Sequence, residues 1–186
     1  MTVELTQLWL PILLGGLSVW LASGLIHMAL KYHNSDYLQL EDEDHVTEAL
    51  RRANPKVGVH SLPYCKDMSA LQDEAMQKRF QEGPVAFITV FPKGMPPMGK
   101  LMAQQIAFSV FGCLFIAYCA ALVLAPGTEF MTVFRFVGTV AFLTFGWATI
   151  PFGIWYGLRW STVARYLLDA LIYAFVAAGV FGWLWP

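Results

Sequence analysis

Four apolar runs, at residues 8–30, 101–125, 132–157 and 163–185, surround a single charged block at 31–100. Each run reaches the roughly 20 residues that a helix needs to cross a bilayer core. Lipid offers no hydrogen bonds to bare backbone, so a spanning run of this kind folds as a helix. The expected fold is an all-α membrane protein: four transmembrane helices, with a polar segment between helices one and two. The expected organisation is a first helix within 1–30, a polar segment at 31–100 and a three-helix region at 101–186.

Charge follows the same division. Nine of twelve Lys/Arg and ten of thirteen Asp/Glu lie between Lys31 and Lys100. The net charge of −1 gives no bulk attraction to nucleic acid, and none is expected as a partner. Glu4 is the only charge ahead of the first run, and that run exceeds the roughly 7–15 residues of a signal-peptide core. It is expected to be a retained helix. Basic residues concentrate in 31–100, with Arg159 and Arg165 near the turn at 158–162. The positive-inside rule puts both stretches in the cytoplasm and both termini outside. Trp9, Trp183 and Trp185 on one side, and Tyr32, Trp155, Tyr156, Trp160 and Tyr166 on the other, fit interfacial belts.

Within the polar segment, residues 42–52 and 69–81 carry helical periodicity. Asn54-Pro55 ends the first and Gly83-Pro84 the second. Residues 85–91, β-branched and aromatic, suit a strand or an interfacial stretch. Two rows of small residues recur at every fourth position. One is Ala170, Ala174, Ala178 and Gly182; the other is Ser109, Cys113, Ala117 and Ala121. Such rows let helix backbones approach closely, either within the chain or across a homo-oligomer interface.

Asp169 is the main chemical clue, because a carboxylate inside an apolar helix costs about 2.5–3.5 kcal/mol on insertion scales. It needs a partner, a water cavity or a task. His27 lies at a similar depth on the first helix, and Gln104, Gln105 and Ser109 enter at that level on the second. Together they form a candidate polar cluster. It reads as a proton relay or polar ligand pocket, or more blandly as Asp169 paired with Arg165 one turn away. Arg135, near the opposite surface, is expected to snorkel.

No metal site is expected. His27 and His33, six apart on one continuous helix, would point about 120° away from each other. Four histidines are too few for an all-His cluster, no zinc spacing is present, and Met95, Met98 and Met102 read as packing. No phosphate loop, nucleophile elbow or CxxC motif occurs, so no catalytic residue is assigned and no cofactor is expected.

Ile26-His27-Met28, Ser35-Asp36-Tyr37, Met98-Gly99-Lys100, Phe134-Arg135, Ile154-Trp155-Tyr156, Trp160-Ser161-Thr162 and the tail from Phe181 to Pro186 are read together. With these motifs the chain resembles a family of small, uncharacterised bacterial integral membrane proteins. The resemblance implies a bacterial inner-membrane address and brings no activity with it.

The leading expectation is a non-enzymatic accessory or structural subunit of a larger membrane complex, with the bilayer and a protein or second copy as partners. The alternatives are a small proton-linked transporter, or a lipid- or quinone-binding protein, using His27 and Asp169.

Overall fold

The computed structural model describes residues 3–186. The chain forms two compact units: residues up to Leu38 together with Pro96–Pro186, and Gln39–Met95. Residues 31–38 fall in the unit that holds the long helices.

Helix α1 (Trp9–Leu25) follows a short 3-10 turn. In the Gln39–Met95 unit, α2 (Glu43–Ala53) is capped by Asp42, whose carboxylate accepts from the His45 amide. Its other end closes on Asn54 in the left-handed region, ahead of Pro55. Strand β1 (Gly58–Leu62) pairs antiparallel with β2 (Ala86–Val90), with His60 opposite Ile88. The second helical stretch is split: a 3-10 turn at Met68–Gln72, then α3 (Glu74–Glu82) capped by Asp73. Aspartates favour these caps because a short carboxylate satisfies the orphan amides of a first turn.

The helical unit continues with α4 (Met98–Val123), α5 (Phe130–Phe145), a short α6 (Ile150–Trp155) and α7 (Trp160–Trp183). Among the described residues, four stretches are long and apolar enough to cross a membrane: Leu5–Leu30, Met98–Val123, Phe130–Trp155 and Trp160–Trp183. The third is not one continuous helix. It breaks at Gly146, passes through a 3-10 turn at Trp147–Thr149 and restarts at α6 with Pro151 in its first turn. Proline has no amide hydrogen to give and fits only a first turn, so the break falls just before it.

Helices α5 and α7 pack most extensively, α1 packs against both α4 and α7, and α4 against α5. The core is built from small and β-branched residues, including Ala117, Ala120, Val133, Val137, Ala174 and Ala178, all buried. The two small-residue rows lie inside the chain: Ser109, Cys113, Ala117, Ala121, Ala170, Ala174 and Ala178 are buried, and Gly182 sits against the Phe130 ring. Backbones approach closely at Gly16, where an added Cβ would fall 2.7 Å from the Val110 backbone. Large apolar side chains such as Leu13, Leu17, Phe111, Phe115 and Phe175 point outward. In water that surface would be a severe liability; against lipid tails it costs nothing.

Candidate functional site

On α7, Thr162, Arg165, Tyr166, Asp169 and Tyr173 recur at helical spacing and so share one face of an otherwise apolar helix. The turn that meets this face comes from the end of the first span. There α1 gives way to a π-helical turn at Ile26–Leu30, and Lys31 adopts a left-handed conformation with φ 54°. The chain reverses at that residue and closes into a 3-10 turn, Tyr32–Asp36. That reversal carries His33 back beneath His27, and the two imidazoles stack with centroids 4.6 Å apart and planes within 3°.

His33 is 7% exposed and Asp169 2% exposed. The His33 Nε2 lies 2.8 Å from Asp169 Oδ2, and its Nδ1 lies 2.7 Å from Asp36 Oδ2. The Tyr32 hydroxyl donates to Asp169 Oδ1. Asp36 Oδ1 accepts from the Thr162 hydroxyl at 2.8 Å and pairs with the Arg165 guanidinium. Arg159 closes the outer edge by donating to the Ser35 carbonyl. Tyr166 stacks on the other side of His33 at 5.1 Å. Among the described residues no buried side-chain polar atom lacks a partner. Burying charges is tolerable only with such complete pairing.

Two carboxylates face one guanidinium here. Burial acts to raise the Asp36 carboxyl pKa. Hydrogen bonds from His33, Thr162 and Arg165, and the Arg165 charge, outweigh it and hold the group below its ordinary value. Burial, and after it the bond to Asp169, pushes the Tyr32 phenol well above its usual range, so Tyr32 serves as a donor.

A cleft of about 1000 Å³ opens beside this cluster. Leu21, Leu25, Leu101, Phe108 and Phe145 give it apolar walls, while His27, Gln104, Gln105 and Asp169 supply polar groups. The structure therefore brings His27, Gln104, Gln105 and Asp169 around one cavity. Ser109 is not among the residues lining it; its hydroxyl bonds back to the Gln105 carbonyl at 3.0 Å. Arg165 pairs with Asp36 rather than with Asp169. Arg135 is exposed, and its carbonyl accepts from Thr139.

Tyr32, His33 and Asp36 lie outside the polar cluster that the sequence suggests: Tyr32 reads there as an interfacial aromatic, and His33 is set aside on the premise of one continuous helix. A signal was present: His33 and Asp36 are three apart, immediately beyond a membrane helix, and α7 carries a polar stripe at matching depth. His27 and His33 point apart only if one continuous helix carries both. The reversal at Lys31 removes that premise: one ligand-capable atom from each of His27, His33 and Asp169 lies within 4.8 Å of the other two.

The fold and its outward apolar surface define a multi-pass, all-α membrane protein. Comparison with family models, with curated proteins and with solved structures finds no match to this chain.

Proposed function

We propose that this protein resides in the inner membrane of a bacterium and binds an amphiphile, a molecule with a long apolar body and a hydrogen-bonding head. The cleft carries this reading. It has apolar walls at span depth and sets His27, Gln104, Gln105 and Asp169 together at its polar end. Ligand sites of this kind combine a large apolar lining with a few convergent polar groups. A lipid and a quinone share the required chemistry. The excess of basic residues in 31–100 supports a cytoplasmic location for that segment and, with it, periplasmic termini.

An accessory or structural subunit is the second reading, supported by low charge outside 31–100 and by the absence of catalytic motifs; the small-residue rows, its third ground, are occupied by contacts within the chain. The proton-linked carrier reading uses the same His27 and Asp169 and needs a continuous water path in addition.

Native mass spectrometry of the protein extracted in mild detergent tests the proposal. A bound lipid or quinone at one per chain is expected. Leu21→Trp, on the cleft wall, should reduce its retention without loss of helical content. No retained amphiphile, or equal retention in Leu21→Trp, would count against a cleft site.

A further inference from the structure

From the geometry around Asp169 we infer that His27, His33 and Asp169 form a mononuclear site for a divalent transition-metal ion of the zinc class.

Three observations carry this. One ligand-capable atom from each residue lies within 4.8 Å of the other two. The 2.8 Å separation of His33 Nε2 and Asp169 Oδ2 matches a hydrogen bond, and it also matches two neighbouring ligands each about 2.0–2.1 Å from one ion. The third observation is that each ligand is held from behind. His33 Nδ1 faces Asp36 at 2.7 Å, His27 Nδ1 faces the Ser23 carbonyl at 3.0 Å, and the second oxygen of Asp169 accepts from Tyr32. An acceptor on Nδ1 fixes the tautomer that leaves the Nε2 lone pair for a metal, and such outer partners accompany metal-ligating histidines.

The donor set selects the class of ion. Two imidazoles and one carboxylate suit zinc, iron or nickel over calcium or magnesium, which prefer all-oxygen shells. The metal would take the place of the hydrogen between His33 Nε2 and Asp169 Oδ2. His27 is exposed at the cleft and its ring lies parallel to that of His33, so it must turn out of the stack for both imidazoles to aim at one ion. Three protein ligands leave a fourth position, on the cleft side where His27 and Asp169 both line the cavity. That open position is the mark of zinc sites that act on a bound molecule.

The test uses untagged protein in mild detergent, stripped with a chelator and reloaded with Zn2+. Metal per chain is counted by plasma mass spectrometry, and affinity is read by competition with a chromophoric chelator. One tightly held zinc per chain is expected. Asp36→Asn, which loosens His33 without removing a ligand, should weaken binding by about 10–100-fold. His27→Ala should weaken it further, and the exposure of His27 leaves the fold intact, as circular dichroism would verify. His45→Ala, at an exposed histidine paired with Asp42, should leave binding unchanged. Reloading with Co2+ should give visible ligand-field bands in the wild type that His27→Ala loses. Substoichiometric zinc, or wild-type affinity in His27→Ala, would overturn the inference. Zinc binding and amphiphile retention are read separately on one preparation, so either can fail while the other stands.

Discussion

Asp169 Oδ2 sits 2.8 Å from His33 Nε2, joining residues 136 apart in sequence at the buried junction of α7 and the turn after the first span. A single short turn supplies most of what keeps a carboxylate tolerable inside an apolar helix. Its other partner, Tyr32, comes from the same turn.

Truncating that carboxylate should be costly. Asp169→Ala strands both His33 Nε2 and the Tyr32 hydroxyl in a buried site, and breaking a buried pair costs about 3–5 kcal/mol. His33→Ala should cost a similar amount. The double variant should lose less than the sum, because the two share one interaction. Unfolding in mixed detergent micelles measures all three; strict additivity would show that the pair is not coupled.

Acid should weaken the bundle through Asp36. Its folded pKa is depressed below the ordinary 3.8, so its contribution is complete above that pH. The contribution disappears as pH falls from about 3.8 through the lower folded value. Thermal unfolding between pH 5 and pH 2.5 should show this decline in the wild type. Asp36→Asn should start less stable and show a shallower acid limb. An identical slope in the variant would assign acid sensitivity to other carboxylates.

Glycine substitutions should separate close contact from open surface. Gly16→Ala drives a methyl into the Val110 backbone, and overpacking of this kind costs about 1–3 kcal/mol. Gly179→Ala on α7 meets nothing within 4 Å and should be neutral, or stabilising by up to about 1 kcal/mol. Equal melting temperatures for the two would mean that α1 and α4 do not approach as closely as described.

Lys31 pays for the reversal that folds His33 under His27. A left-handed φ costs a residue with a side chain about 1–2 kcal/mol, a penalty that glycine escapes. Lys31→Gly should keep or slightly raise stability. Lys31→Val, whose branched side chain fits that region poorly, should lower it. A differential scan of the three proteins measures the order; Val above Gly would mean that the turn is not held in this conformation.

Much of the helical framework was legible from residue type alone. The four spans shift by no more than three residues at either end between their expected and observed positions. The helix within 42–52 and its end at Asn54-Pro55 are local features, read without any tertiary contact. The strand at 86–90 was half legible: its composition suits a strand, but its partner β1 has too mixed a pattern to announce itself. The break before Pro151 was hidden because apolar residues continue through it.

By itself the sequence determined the class of protein. Apolar length decides between lipid and water, and that decision needs no knowledge of what touches what. It also marked Asp169 and His27, because isolated polar groups in such runs are conspicuous. What only the tertiary structure decided is the company Asp169 keeps. His33, Tyr32 and Asp36 look like ordinary loop residues until one left-handed residue, Lys31, turns them back onto α7. A single backbone dihedral at a non-glycine residue leaves no trace in hydropathy or periodicity. It is selected by the buried pairing it makes possible, and that pairing exists only once the helices have packed.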